Sequence, residues 1–134
     1  PQHAESFVSQ IVARVEALRV GLPWQQHGGE GGVENGSGLY SQITPLPYLK
    51  RVAYMKSLIA DAVSKGAKIQ NKNGGSVIGG PESTLMVPAV LYPVTPDMNV
   101  YHEEQFGPIV PITTYDDLDS ILKFGQEGPF GQQV

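Results

Sequence analysis

A Gly-Pro pair at residues 107–108 stands immediately before a strand-like run, 109–114, and this junction restricts the folds open to the chain. Proline fixes its own φ and has no N–H to donate, while glycine lets a ligand or another backbone come close. The pair is preceded by two carboxylates, Glu103 and Glu104, and by an aromatic ring, Phe106. The sequence therefore predicts a tight loop with charged and aromatic groups at the entrance of a strand.

A carboxylate at a strand entrance is suited to holding a ligand diol. When ionised it only accepts hydrogen bonds, and it has about four lone-pair sites. Phe106 adds a flat apolar face two residues after Glu104. A Glu-Glu pair near a turn is more often solvated surface. From the residues alone, both a ligand site and a solvated turn remain open.

Charge and composition exclude several classes of function. The formal net charge of −4 and the pI of about 5.2 argue against nucleic acid or an anionic membrane as the main partner. No apolar run approaches the roughly 18–20 residues that a membrane-spanning helix needs. The 134 residues include no cysteine, so they hold no disulfide and no thiolate nucleophile or metal ligand. With the histidines far apart as well, we expect no metal site and a cytoplasmic location.

Apolar residues spaced three and four apart predict two long helices. The first spans residues 4–20 and ends at Gly21 as a left-handed cap, and the second spans residues 47–65 and ends at Gly66. The predicted buried face of the second helix consists of Leu49, Val52, Met55, Ile59, Ala62 and Val63. Its basic residues, Lys50, Arg51 and Lys56, predict a solvated face.

Short runs between and after these helices predict strands, at residues 67–70, 86–92 and 109–114. Pro88 implies an edge or first-residue position in the second of them. A third helix is expected over residues 118–124, with Asp116 as its N-cap and Gly125 at its end. This order predicts an α/β layer domain whose helices pack on an open sheet that needs further strands.

Residues 21–44 are expected to form a flexible, glycine-rich insertion. They lack both the Gly-x-Gly-x-x-Gly spacing and a Gly-Lys-Ser/Thr sequence, so neither phosphate-binding fingerprint is met. The first residue is Pro1 rather than Met, and Val134 ends a strand-like run without a polar stop. We therefore expect the chain to be a segment of a larger protein.

The loop motif resembles a family signature. Residues 103–108 read Glu-Glu-Gln-Phe-Gly-Pro, which is similar to the Glu-Glu-x-Phe-Gly-Pro signature of the aldehyde dehydrogenase superfamily. Further resemblances lie at residues 88–91, 94–98 and 128–131, the last with Phe130 for the usual Tyr. Residues 43–46, Ile-Thr-Pro-Leu, resemble the non-phosphorylating glyceraldehyde-3-phosphate dehydrogenase branch.

The resemblance implies a fold and a reaction. Residues 1–134 would be part of the catalytic domain of an NAD- or NADP-dependent enzyme that oxidises an aldehyde to a carboxylic acid. In that family a cysteine thiolate adds to the carbonyl, hydride passes to the cofactor, and a glutamate-activated water releases the acid. The implied partners are a small-molecule aldehyde, the remainder of the same chain and, when complete, further copies in a homo-oligomer.

The resemblance also assigns cofactor-binding residues. The second Glu of the signature hydrogen-bonds the ribose hydroxyls beside nicotinamide, and Glu104 occupies that position. The signature Phe contacts the nicotinamide side of the cofactor, and Phe106 matches it. For Glu103, which matches the first Glu, we expect a structural role.

The sequence departs from the family in what it lacks. The nucleophilic cysteine, the oxyanion-hole asparagine and the general-base glutamate all belong upstream, so no catalytic residue is expected in this chain. We predict that the 134 residues alone are inactive and bind the cofactor weakly or not at all. The alternative is a non-catalytic interaction or assembly module derived from an aldehyde dehydrogenase.

Overall fold

A computed structural model describes residues 3–25, 40–128 and 130 of the chain. Its elements follow in the order α1 (Ala4–Glu16), α2 (Leu49–Ser64), β1 (Lys68–Ile69), β2 (Val77–Ile78), β3 (Leu85–Met86), β4 (Ala89–Tyr92), α3 (Asn99–His102), β5 (Ile109–Pro111) and α4 (Leu118–Glu127). No helix among these residues is long and apolar enough to cross a membrane.

A three-stranded sheet organises the fold, in the order β1-β4-β5. β4 pairs antiparallel with β1, Lys68 opposite Tyr92, and parallel with β5, Ala89 opposite Ile109. The amide of Ala89 donates to the carbonyl of Pro108 over 2.8 Å, so this pairing begins at the Gly-Pro junction. β2 and β3 form a separate antiparallel pair. The sheet therefore places the loop before β5 at the start of the central strand.

The core lies on both faces of β4, because successive side chains of a strand point to opposite faces. On one face, Leu91 belongs to a cluster with α2 residues such as Met55 and Leu58. On the other, Val90 packs with Val8 of α1. Met55 and Leu58 are 0% and 3% exposed, and burying each contributes roughly 1.5–3 kcal/mol before ordering entropy.

Asn71 is the one buried polar residue of the described core. Its side-chain amide donates to the carbonyl of Pro88, and its side-chain oxygen accepts from the amide of Val90, both over 2.8 Å. Both groups of the amide are thus satisfied by backbone at the start of β4, which removes most of the cost of burying it.

The first helix is shorter than predicted, and its cap was predicted wrongly. α1 ends at Glu16, because the chain after it pairs with a distant segment: Val20 forms a parallel bridge with Ile43, and the amide of Gly21 donates to the carbonyl of Ile43. Gly21 does not adopt a left-handed conformation. A Cβ there would lie 2.6 Å from both Ser41 Oγ and Gln25 Oε1, so a larger residue would have to displace these two side-chain ends.

The second helix and its end agree better with the prediction. Gly66 has φ +110°, which confirms its left-handed position after the helix. The buried face includes Leu58, which was not predicted, whereas Leu49 and Val63 are 42% and 45% exposed. The predicted stripe was thus correct at its centre and wrong at its two ends.

The predicted strand over residues 86–92 is in fact two strands. Pro88 lies between β3 and β4, directly before the first residue of β4, and β4 is the central strand. Of the two predicted placements, the edge strand was therefore wrong, and the position at the start of a strand was correct to within one residue. The third predicted helix corresponds to α4. It is capped by Asp117, whose carboxylate accepts from the amide of Ser120 over 2.8 Å, and not by Asp116. It continues through Gly125 to Glu127 and is followed by Gly128, so the helix ends at the second of two available glycines rather than at the first.

Two short elements, β2 and α3, were not predicted. Most of the expected insertion, residues 26–39, lies outside the described residues. So do positions 129 and 131 of the family resemblance at residues 128–131, and residues 132–134. The flexible insertion therefore stays a prediction.

Candidate functional site

The loop of residues 103–108 joins α3 directly to β5. α3 ends at His102, and Glu103 continues in extended conformation, with φ −96° and ψ 129°. The side-chain amide of Gln105 donates to the carbonyl of Ile109 over 3.1 Å and folds the loop back on the strand. Pro108 closes the loop: it fixes its own φ and has no N–H to donate, and the pairing of β5 begins at the next residue, Ile109.

Two side chains of α2 form hydrogen bonds with this loop. The hydroxyl of Tyr54 donates to the carboxylate of Glu103 over 2.8 Å, and the guanidinium of Arg51 donates to the backbone carbonyl of Gln105. Arg51 also lies over the Tyr54 ring, 5.1 Å from its centroid. Residues three apart on a helix share one face, so both reach the same loop.

A third contact with α2 explains the glycine of the motif. A Cβ on Gly107 would overlap Sδ of Met55, which is fully buried, and would lie 2.8 Å from its Cε. Such distances are shorter than any normal van der Waals contact. Any larger residue at position 107 would have to move the buried Met55 side chain or lift the loop away from α2.

Phe106 is displayed on the surface in an unfavourable backbone conformation. Its φ is +40° and its side chain is 75% exposed. For a residue other than glycine, this region costs about 1–3 kcal/mol, and it persists only where the surroundings enforce it. The contacts of Gln105 and Gly107 with α2, on either side of Phe106, supply that enforcement.

Glu104 is exposed, and no residue in the described part of the chain donates a hydrogen bond to its carboxylate or forms an ion pair with it. Its neighbour Gln105 has a buried side-chain oxygen that also lacks a partner among those residues. The loop thus offers an open acceptor, Glu104, beside an exposed ring, Phe106, which is an arrangement that could bind a hydroxyl-bearing ligand with an apolar part.

The hydrogen bond to Glu103 raises the pKa of Tyr54 above its ordinary value of 10.0, and burial and the negative charge of Glu103 act in the same direction. The positive charge of Arg51 opposes them. The phenol therefore stays protonated at neutral pH and remains a donor to Glu103.

His102 is engaged by the main chain. Its Nε2 lies 2.6 Å from the carbonyl of Pro96, and its ring meets that of Tyr101 edge-on, with 5.0 Å between centroids. Over the described ranges, no group of three or more acidic or histidine side chains could hold a metal ion.

The sequence predicted Glu104 and Phe106 as site residues, and it did not indicate that Arg51 and Tyr54 contact the same loop. The structure brings all four to one loop, whereas the prediction placed Arg51 on a solvated face. The available signal was weak: an arginine and a tyrosine three residues apart, alternating with the buried residues of α2. Two grooves, of about 600 and 460 Å³, lie along α1, and neither is lined by Glu104 or Phe106.

Comparison with known proteins assigns the chain to a family. The family model described as "Aldehyde dehydrogenase family" matches residues 2–134. A vanillin dehydrogenase of Pseudomonas fluorescens is 31% identical over 129 residues, covering 96% of this chain and 23% of that protein. An NADP-dependent glyceraldehyde-3-phosphate dehydrogenase of Streptococcus equinus is 30% identical over 133 residues, covering 98% and 23%. Because the two identities are nearly equal, they do not distinguish the glyceraldehyde-3-phosphate dehydrogenase branch from other branches of the family.

Solved structures agree. The succinate-semialdehyde dehydrogenase of Burkholderia pseudomallei superposes with a TM-score of 0.73 at 28% identity, covering 94% of this chain and 23% of that one. The NADP-dependent glyceraldehyde-3-phosphate dehydrogenase of Bacillus halodurans, solved with NADP, gives 0.72 at 27% identity, covering 95% and 22%. The predicted fold class, helices packed on an incomplete open sheet, is confirmed. The chain spans less than a quarter of the length of these relatives.

Proposed function

Because this chain belongs to the aldehyde dehydrogenase family, we propose that it is a segment of an NAD(P)-dependent enzyme that oxidises an aldehyde to a carboxylic acid. The segment contributes the loop of residues 103–108 to the cofactor site. One observation carries this proposal: Glu104 and Phe106 are both exposed on a loop that α2 holds in place, with no described residue engaging the Glu104 carboxylate.

The residues present fit a nicotinamide nucleotide. A carboxylate without an internal partner can accept from both hydroxyls of a ribose, and an exposed phenyl ring can cover the apolar part of the adjoining base. NAD(P)+, when bound, takes up hydride from the aldehyde carbon. The role of Glu104 is to fix the ribose, and that of Phe106 is to limit the positions open to the nicotinamide ring. Restricting the geometry in this way lowers the entropic part of the barrier.

The remaining chemistry requires residues outside this sequence. With no cysteine among its 134 residues, the chain supplies no thiolate nucleophile, and by itself it is inactive. The partners are a small-molecule aldehyde, the rest of a longer chain and further copies of that chain. A non-catalytic assembly module is the weaker alternative, because such a module has no use for an open carboxylate beside a strained, exposed phenylalanine.

The test is Glu104→Gln in the longer protein that contains this chain. We expect hydride transfer to slow about 10-fold or more, because an amide accepts fewer hydrogen bonds from the ribose diol. The measurement is the pre-steady-state rate of NADH or NADPH formation. Succinic semialdehyde, vanillin and glyceraldehyde 3-phosphate serve as probe aldehydes, since relatives are named for them.

Glu82→Gln provides the matched control, because it makes the same change at an exposed position between β2 and β3. Its rate should equal that of the unmodified protein. If Glu104→Gln left hydride transfer unchanged with every aldehyde that the unmodified protein oxidises, the assignment of this loop would be wrong.

A further inference from the structure

We propose that Arg51 and Tyr54 of α2 are positioning residues that aim Glu104 at the cofactor by fixing the residues on each side of it. The inference rests on the proposed function, since it takes Glu104 to be the ribose acceptor. Neither side chain needs to touch the cofactor for this role. Each acts through the loop.

The first support is the pattern of contacts along the loop. Three alternate residues are tied to α2: Glu103 through Tyr54, the carbonyl of Gln105 through Arg51, and Gly107 by close packing on the helix. The two residues between them, Glu104 and Phe106, are exposed. Anchors on both sides of Glu104 therefore restrict its backbone while leaving its carboxylate open.

The second support is that the anchors are themselves held. Arg51 stacks on the ring of Tyr54, so each side chain limits the rotamers of the other, and both are partly buried. The hydroxyl of Tyr54 donates to a carboxylate oxygen of Glu103 over 2.8 Å, and hydrogen bonds to carboxylates are among the stronger ones in proteins. A rigid helix thus transmits its position to the loop through two polar contacts rather than through backbone alone.

The third support is the strained backbone at Phe106, whose φ is +40°. Such a conformation relaxes unless the surroundings determine it. The Arg51 contact lies on the residue before Phe106, so losing that contact removes one of the two constraints on this backbone. Phe106 and Glu104 would then sample orientations that do not match the cofactor.

The experiment compares single-group deletions in the longer dehydrogenase that contains this chain, with NAD+ and NADP+ as probes. Tyr54→Phe removes only the hydroxyl and keeps the ring under Arg51. We expect the KM for the cofactor to rise and kcat/KM to fall about 3- to 10-fold. Arg51→Met should cause a similar loss, and Arg51→Lys should recover part of it, since lysine keeps a charged donor.

Tyr48→Phe is the matched control, because it deletes a hydroxyl at the start of the same helix, where the ring is 56% exposed. Its kcat/KM should equal that of the unmodified protein. Melting temperatures of all variants separate loss of positioning from loss of folding.

A double-mutant cycle with Glu104→Gln isolates positioning, because a residue that works through Glu104 has nothing left to position once that carboxylate is gone. We expect Tyr54→Phe to cause little further loss in the Glu104→Gln background. Full additivity, or an unchanged kcat/KM in both Tyr54→Phe and Arg51→Met, would overturn this inference and leave the proposed function standing. An unchanged rate for Glu104→Gln alone would overturn both.

Discussion

At the scale of single residues, the contact between Gly107 and Met55 sets how closely the loop approaches α2. Gly107 lies between the displayed Phe106 and the start of β5, and Met55 is fully buried beneath it. The fit depends on one missing methyl group. A larger residue at 107 must push either the thioether or the loop, and the loop carries the proposed site.

Gly107→Ala is therefore expected to destabilise this junction by about 1–3 kcal/mol, because overpacking a filled core forces shifts in its neighbours. The change should appear as faster hydrogen exchange at the amide of Ala89, which donates to the carbonyl of Pro108. Adding Met55→Val should restore part of the protection, since valine ends at its Cγ atoms and has nothing in place of the Sδ and Cε that the new methyl would meet.

Gly66→Ala serves as the control for this substitution. Nothing lies within 4 Å of a Cβ at Gly66, but its φ of +110° strains any other residue. Its effect should stay at the end of α2 and leave the Ala89 amide unaffected. Unaltered exchange at Ala89 in Gly107→Ala would contradict the close contact with Met55.

Residue-level predictions from sequence succeeded where the cause is local. Gly66 follows the last turn of a helix, and the end of a helix is a local preference for glycine. Asp117 replaced Asp116 as the cap because the two neighbours satisfy the same preference, and only the observed bond to Ser120 distinguishes them. The cause at Gly21 is not local, because its environment includes Ser41. The contacts of Arg51 and Tyr54 span 54 and 49 residues, and the three-residue spacing of these side chains within α2 is only a weak indication of them.

At the scale of elements, one acidic side chain connects α2 to α3. The carboxylate of Asp61 accepts from the amide of Asn99, the first residue of α3, over 2.8 Å. It also pairs with Lys65 at 2.7 Å, and Lys65 donates to the carbonyl of Asp97 over 2.6 Å. Since α3 leads directly into the loop of residues 103–108, this connection helps to place the site.

These contacts predict a pH dependence for the α2–α3 connection. The hydrogen bond from Lys65, followed by that from the Asn99 amide, lowers the pKa of Asp61 below its ordinary value of 3.8, and burial opposes them. Because the folded pKa is the lower one, the stabilisation is complete above the unfolded value. It is lost as pH falls through the folded value. The connection should therefore weaken only in acid, below about pH 3.8.

Asp61→Asn tests this pH dependence. The variant should melt at a lower temperature than the unmodified protein at about pH 6, and the difference should shrink as the pH falls below 3.8, where the native carboxylate becomes progressively protonated. When both proteins also carry Lys65→Met, the melting-temperature difference caused by Asp61→Asn should be smaller, because Lys65 is the main cause of the lowered pKa of Asp61. A difference that is constant with pH would contradict the role of the ionised carboxylate.

The accuracy of the element predictions follows the length of the elements. α2 has 16 residues, so its apolar period is repeated often enough to be recognised. β2 and β3 have two residues each and α3 has four, which is too short for any period to show. α1 was overextended because its apolar pattern continues through Val20, whereas the backbone from Arg19 onward pairs with residues 42–43.

At the scale of the whole molecule, the described residues leave an apolar helix face and two sheet edges uncovered. α4 has no buried residue, and its Leu118 and Leu122 are 71% and 58% exposed. β1 and β5 are the outer strands of a sheet of three. Exposed apolar faces and open sheet edges are normally covered by further structure. The same incompleteness applies to the site, where the proposed contacts are limited to Glu104 and Phe106.

We therefore expect the 134-residue chain on its own to form no NADH or NADPH from any probe aldehyde, because it contains no cysteine to attack the carbonyl. Cofactor binding should also be weak, since one loop contacts only one end of a dinucleotide and most of the binding free energy must come from elsewhere. Titration of NADH fluorescence with the isolated chain and with the longer protein measures both affinities. In the longer protein, Glu104→Gln should weaken binding, whereas in the isolated chain it should change little. Turnover by the isolated chain, or tight cofactor binding that Glu104→Gln abolishes there, would show that these residues form a self-sufficient site.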